Sequence, residues 1–151
     1  KEPIYWHIRR ITVNSEDAQD ATQETFIRVF RSLGQYDRSR SFTAWLYRIA
    51  TNEALRIIEK RHPTVDVESN AEAMSMLADE YVDFEDLEAV NLQKAILSLP
   101  RKQRLTFTLR YYDELSFSEI DEITDTTPDG AKANWHNAKV KISNYLKEHN
   151  G

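Results

Sequence analysis

Cysteine is absent from the 151 residues, which excludes disulfides, cysteine-ligated zinc, iron–sulfur clusters and thiol nucleophiles, and fits a reducing cytoplasm. Glycine is nearly absent too, with Gly34, Gly130 and Gly151 alone, so there is no Gly-rich loop to cradle a phosphate. No apolar run approaches the roughly 20 residues that span a bilayer, and nothing near Lys1 has the pattern of a signal peptide, so a soluble, cytoplasmic protein is expected. His7, His62, His136 and His149 lack metal-ligand spacing, and neither a metal nor a cofactor is expected. The chain opens without methionine and partway through a helical pattern, so residues are expected upstream of Lys1. Its length allows one ordinary domain or two small ones.

What is present is charge, unevenly placed. Residues 1–62 carry 11 Lys/Arg against 8 Asp/Glu, residues 63–91 none against 9, and residues 92–151 carry 9 against 8. Salt screens charges beyond about 8 Å at physiological ionic strength, so a polyanion meets two mildly basic segments rather than the formal net of −5.

Apolar residues recur at spacings of three and four, which predicts an all-α chain. A first helix runs through Ile4–Ile11. Ser15 can cap a second, opened by Glu16 and Asp17 and ended by Gly34, with Ala18, Ala21, Thr25, Phe26, Val29, Phe30 and Leu33 on its buried face. Ser41 can cap a third, carrying Phe42, Trp45, Leu46, Ile49, Ala50, Ala54, Ile57 and Ile58 and ending at Lys60, Arg61 and Pro63. From Thr64 to about Ala89 periodicity weakens into an acidic linker, with room for one short helix at Met74, Met76 and Leu77. The pattern resumes at Leu92, Ile96, Leu97 and Leu99, breaks at Pro100, and continues through Leu105, Leu109 and Tyr112. Ser116 and Glu119 have capping-box spacing, and Thr127 with Pro128 can open a last helix with core stripe Ala131, Trp135, Ala138, Ile142 and Tyr145 or Leu146. A short helix, a tight turn and a longer amphipathic helix form a helix-turn-helix pattern.

These stretches are similar to a known family, the extracytoplasmic-function (ECF) sigma factors of the sigma-70 family. D-A-T-Q-E-T-F-I-R-V-F-R-S-L (Asp20–Leu33) resembles its polymerase-binding helix, and F-T-A-W-L-Y-R-I-A-T-N (Phe42–Asn52) its promoter-melting segment. L-P-R-K-Q-R (Leu99–Arg104), L-R-Y-Y (Leu109–Tyr112) and L-S-F-S-E-I (Leu115–Ile120) resemble its promoter-binding C-terminal domain. All stand in family order, with the family's first helix missing. The resemblance implies two small helical domains: a region 2-like domain over 1–62 and a region 4-like helix-turn-helix domain over 91–149, joined by an acidic linker over 63–90. It also implies that the linker runs through polymerase channels made for nucleic acid; plain disorder is the other reading of its charge.

Three surfaces follow. Asp20, Gln23 and Glu24, at i, i+3 and i+4, share one helix face. Such faces are usually just solvated, but in the family the matching positions dock on a coiled coil of the largest polymerase subunit, with Ile27 and Arg31 extending the contact. In the second surface aromatics interleave with Arg48, Arg56, Lys60 and Arg61, a mixture suited to DNA opening, where unstacking costs a few kcal/mol per step. Trp45, Leu46 and Ile49 have core spacing and are assigned to packing. Asn52 matches a family position, near a break between two helices, that captures a flipped base of the minus-ten element; a helix-interrupting asparagine bonded to local backbone is the alternative. The third is the last helix, where the resemblance places Lys132, Ala133, Asn134, His136, Asn137 and Lys139, with Lys141 beyond, toward the minus-thirty-five element. Asn134 and Asn137 stand where the family commonly has arginine, and Asp129 adds an acid, so weak isolated DNA binding or a different promoter preference is expected. Arg101, Lys102, Arg104 and Arg110 are candidates for phosphate contacts, with an internal ion pair as the alternative for Arg110.

The implied protein is not an enzyme, since Asp20 and Glu24 lie on a convex helix rather than in a cleft. It would bind core RNA polymerase, promoter DNA and an anti-sigma factor that occludes both domains. A protein-interaction module that mimics a sigma factor and captures an anti-sigma factor is the main rival, favoured by the sparse charge of the last helix. A helix-turn-helix repressor is a third reading, but it leaves residues 1–62 without a role.

Overall fold

A computed structural model describes residues 2–63 and 87–150. The expected linker core and its short helix at Met74, Met76 and Leu77 lie outside the described residues. The rest forms seven α-helices, with no strand among the described residues: α1 (Glu2–Thr12), α2 (Ser15–Ser32), α3 (Phe42–Arg61), α4 (Leu87–Leu97), α5 (Arg101–Tyr111), α6 (Phe117–Thr124) and α7 (Gly130–Asn150). Helix α4 starts inside the stretch drawn as linker.

Helices α1, α2 and α3 pack on one another, while α7 packs on α4, α5 and α6. The two groups also touch, through α3 against α6 and α1 against α5. One continuous core runs from Ile4, Ile8, Ala18, Ala21, Ala50 and Ala54 into Leu105, Leu109, Leu115, Ile120 and Ala131. A second gathers Ile96, Leu99, Phe107, Ala138 and Ile142, with Leu92, Trp135, Tyr145 and Leu146 packed against it.

Local chemistry sets the helix ends. The Ser41 hydroxyl accepts from Ala44 N at 3.1 Å, and Ser116 with Glu119 closes a reciprocal capping box, each cap adding about 1 kcal/mol. Three expected boundaries differ. Asn14, not Ser15, caps α2, accepting from Asp17 N at 3.0 Å. The helix ends at Ser32, and Gly34 sits in a 3₁₀ turn over Leu33–Gln35 without left-handed backbone, so it does not act as a C-cap. Thr127 does not cap the last helix: Pro128 and Asp129 form a turn, with Asp129 left-handed (φ 67°), and α7 begins at Gly130. Its first turn is served from α6 instead, where Asp121 Oδ1 accepts from Ala131 N and Thr126 Oγ1 at 2.7 Å each. A Cβ on Gly130 would stand 2.8 Å from Thr126 Cβ, which is why a glycine opens this helix.

The buried faces differ in part as well. Ala18, Ala21 and Thr25 of α2 are buried as expected, but Phe30 is 87 % exposed and Leu33 52 %. Among the described residues no helix covers the far end of α2, and its apolar stripe runs on exposed. In α3 the buried row is Ala44, Tyr47, Ala50, Thr51, Glu53, Ala54, Leu55 and Ile58, whereas Phe42 is exposed and Trp45, Leu46 and Ile49 are half-buried.

Candidate functional site

The face of α2 is built by carboxylates and amides spaced around an outward stripe. Gln23, Ile27 and Arg31 are exposed, Asp20 and Glu24 half-buried. Phe30 lies seven residues from Gln23, two turns along the same stripe, and stands out bare beside it. Phe30 was assigned to the core from periodicity; its i+7 relation to Gln23 was the signal that could have placed it here. Asp20 is not a free charge: Arg61 reaches it at 2.7 Å and the buried Asp17 at 2.9 Å, tying the end of α3 to the start of α2. His62 Nε2 meets the other Asp17 oxygen at 2.8 Å.

The five residues expected at the minus-ten element do not share one face. Helix positions four apart drift by about 40° per step at 3.6 residues per turn, and the row Arg48, Asn52, Arg56, Lys60 winds from one side of α3 to the other. Arg56, Lys60 and Arg61 line a cleft of about 380 Å³ against α2, with Arg28, Glu53 and Glu24. Glu53, 5 % exposed, is held there between Arg28 at 2.5 Å and Arg56 at 2.6 Å. Arg48 and Asn52 instead line a cleft of about 300 Å³ against the C-terminal helices, with Leu55, Arg101, Lys102, Ile123 and Asp125. Asn52 itself is exposed, in the middle of an α3 that runs unbroken from Phe42 to Arg61. Neither a helix break nor a helix-interrupting asparagine is found, because no proline or glycine stands between those residues to open the backbone ladder.

Tyr36, Phe42 and Trp45 form an aromatic cluster at the start of α3, with centroids 5.1 to 5.6 Å apart. On the last helix Lys132, Ala133, His136, Asn137, Lys139 and Lys141 are exposed as expected, while Asn134 is half-buried. Trp135 stacks on Phe107 at 5.2 Å, with Lys139 over its ring at 5.2 Å, so it fixes the helix to the core and braces one cation. Of the candidate phosphate contacts, Arg104 is buried and out of reach. Arg110 donates to Leu115 O at 2.8 Å and lies 4.3 Å over Phe117, an internal role through a carbonyl and a ring rather than an ion pair. Lys102 is exposed and Arg101 half-buried.

Between the helix groups lies a polar seam that no local pattern foretold, because its partners are dozens of residues apart. The Tyr47 hydroxyl donates to Asp113 Oδ1 at 2.8 Å, and Arg10 stands 3.7 Å from Oδ2 and 4.1 Å over the Tyr112 ring. Ser41 Oγ donates to Glu119 Oε2 at 2.7 Å, and Arg48 meets Asp125 at 3.3 Å. Burial raises the Asp113 carboxyl above its ordinary value, against the pull of Tyr47 and Arg10. Burial also acts upward on Glu119, but the hydroxyls of Ser41 and Ser116 and the Ser116 N–H outweigh it and hold the group below the usual range. Nearby, fully buried His7 contacts Thr51 Oγ1 through Nε2 at 2.8 Å, while Nδ1 has no partner among the described residues. Burial, helped by Arg10, lowers its pKa to about 3, so it is neutral. A proton on Nε2, donated to Thr51, leaves only a lone pair unmatched.

Residues 1–64 match the Sigma-70 region 2 family, and residues 89–142 match the Sigma-70, region 4 family. The chain is 35 % identical over 159 residues to the ECF RNA polymerase sigma factor SigW of Bacillus subtilis, covering 98 % of this chain and 85 % of that one. It is 32 % identical over 147 residues to the ECF RNA polymerase sigma-E factor of Escherichia coli, covering 89 % and 76 %. Among solved structures, the sigma factor RpoE in complex with the anti-sigma factor NepR from Bartonella quintana superposes with a TM-score of 0.74, 19 % identity and coverage of 97 % and 91 %. CnrH in complex with the cytosolic domain of CnrY gives a TM-score of 0.72, 18 % identity and coverage of 97 % and 81 %. At those identities the structural likeness is one of fold.

Proposed function

The chain belongs to the ECF RNA polymerase sigma factors of the sigma-70 family, and from that premise we propose how its surfaces divide the work of promoter-specific initiation. It is a transcription initiation factor and not an enzyme. The outward stripe of α2, namely Asp20, Gln23, Glu24, Ile27 and Arg31 together with Phe30, binds core polymerase. Ile27, Phe30 and Leu33, three residues apart, are all exposed, and an apolar patch rimmed by hydrogen-bonding groups suits an interface, whose core is enriched in aromatics and arginine. Phe30, at 87 % exposure within the polymerase-binding motif, is the observation that carries this assignment.

Asn52 and Arg48 serve the minus-ten element, an amide offering both donor and acceptor to an unstacked base. Arg61 ties α3 to α2 through Asp17 and Asp20, and Arg56 and Lys60, which line the same cleft, supply field rather than base contacts. Lys132, Ala133, Asn134, His136, Asn137 and Lys139 address the minus-thirty-five element in the major groove, with Lys102 and Arg101 on flanking phosphate. The working units are the region 2 segment through residue 62 and the region 4 segment from about residue 91, with α4 reaching back to Leu87. An anti-sigma factor is the proposed regulator, supported by the fold shared with a sigma factor whose structure holds one. No helix among the described residues is long and apolar enough to cross a membrane. Co-purification of core polymerase with the chain and with Glu24→Lys tests the division: binding by the first and its loss by the second is the expected pair of results.

A further inference from the structure

The two acids of the α2 stripe are held differently. Asp20 is engaged by Arg61 at 2.7 Å, a charge-assisted hydrogen bond. Glu24 has Arg28 one turn along its own helix, in the favourable acid-first order for an i,i+4 pair, yet the two stand 3.6 Å apart, beyond hydrogen-bond reach. The cause lies behind α2. Buried Glu53 of α3 accepts from Arg28 Nε at 2.5 Å, and Arg56 Nη1 closes on the same carboxylate oxygen at 2.6 Å. Both acids approach Arg28 at Nε, which carries a single hydrogen, so only one of them can accept it. Glu53 wins because its side chain is 6 % exposed against 44 % for Glu24, and attraction between charges strengthens as water is excluded.

We infer that Glu53 is a positioning residue for polymerase binding: by claiming Arg28 from behind, it keeps the Glu24 carboxylate unneutralised and open to a cation of the polymerase. The inference rests on the assignment of the α2 stripe to polymerase; the diversion of Arg28 rests on the geometry alone. Glu53 is too deeply buried to meet a partner itself, so it acts only through Arg28. The cleft between α2 and α3 shows why an acid is needed at this place. Arg28, Arg56, Lys60 and Arg61 line it, with Asp20, Glu24 and Glu53 as its acids. Were Glu53 neutral, four cations would face two carboxylates, both on the stripe, and Arg28 would turn its Nε–H to Glu24. Polymerase would then have to break that pair before using the acid. A buried carboxylate thus sets how an exposed one is offered.

Core-polymerase affinity of the 151-residue chain carrying Glu53→Gln, Arg28→Gln or both tests this, with Glu24→Gln measured beside them. Glu53→Gln should weaken binding about twofold to fivefold, the worth of an exposed ion pair that has to be opened, with helical circular dichroism retained. Adding Arg28→Gln should restore the affinity, because the competing cation is gone; damage to packing around Glu53 would not be repaired by a second substitution. In the free chain the Arg28 Nε–H signal, identified in nitrogen-15 NMR spectra by its disappearance in Arg28→Gln, should exchange slowly with water and lose that protection in Glu53→Gln. If Glu53→Gln does not fold, Glu53→Asp, which keeps the charge and draws it back by one methylene, takes its place, with the same weakening and the same rescue expected. Affinity unchanged by the Glu53 substitution where Glu24→Gln lowers it, or a weakening that Arg28→Gln leaves in place, would overturn the positioning role. Should Glu24→Gln leave affinity unchanged, the α2 assignment falls and the positioning role with it, while slow exchange at Arg28 in the unsubstituted chain would still mark Glu53 as its partner.

Discussion

The Tyr47 hydroxyl donates a 2.8 Å hydrogen bond to Asp113, 66 residues away, and so couples the third helix to the turn after the fifth. Asp113 is an acceptor with a 6 % exposed side chain, so the bond is made away from most of the solvent. Tyr47→Phe keeps the ring and removes only the bond, and should lower the unfolding free energy by about 1 kcal/mol. Urea denaturation with an unchanged m-value checks it. An unaltered midpoint would mean that the Tyr47–Asp113 bond contributes nothing to stability.

Buried His7 sets a pH dependence whose sign is fixed. Its folded pKa of about 3 lies below the ordinary 6.5, so the unfolded chain takes up a proton that the folded one refuses. This contribution is intact above about pH 6.5 and is lost as pH falls toward 3, amounting to about 2 kcal/mol between pH 7 and pH 5. His7→Gln, whose amide can keep the Thr51 hydrogen bond, should remove that part of the slope. Parallel pH profiles for the two chains would reveal an error in the buried, neutral assignment.

On α2, Phe30→Ser separates interface from core. An 87 % exposed side chain supports little packing, so unfolding should shift by less than about 0.5 kcal/mol. Core polymerase binding should weaken at least as much as a surface anchor is worth, about 2 kcal/mol or some thirtyfold. Glu24→Lys should abolish co-purification, again with the fold intact, since its pairing with Arg28 at 3.6 Å is an exposed i,i+4 contact. Destabilisation with unchanged binding would return Phe30 to a structural role.

Asn52→Ala should spare polymerase binding and impair open-complex formation, followed by permanganate reactivity of the minus-ten region. Because Asn52 is exposed inside an unbroken helix, alanine should leave stability level or raise it by a few tenths of a kcal/mol. Normal melting would remove Asn52 from the base-capturing role.

What was legible in the sequence is what local chemistry decides. Ser41, and Ser116 with Glu119, act as caps where expected, because a cap needs only neighbours within one turn. The core stripe of α7 was legible through Ala131, Ala138 and Ile142, which are buried. Phe30 and Leu33 were not, since periodicity gives the face of a helix and cannot say where its partner stops. Asp17 was legible only as a first-turn acid and Glu53 not at all, yet each is buried because an arginine from another helix reaches it. The start of α7 misled for a similar reason: Asp121, ten residues before Ala131, does the work that Thr127 was expected to do. In the candidate site, the interleaving of cations with aromatics named the arginines and Lys60 and the resemblance named Asn52, but only the fold separates Arg48 and Asn52 on one side of α3 from Arg56, Lys60 and Arg61 on the other.

Promoter choice by core polymerase should depend on this chain, and reconstituted transcription measures that dependence. Core enzyme, a library of promoter sequences and the chain should yield initiation confined to a subset sharing minus-ten and minus-thirty-five sequences. Transcripts indistinguishable from those of core enzyme alone, with the chain folded and bound to polymerase, would contradict it.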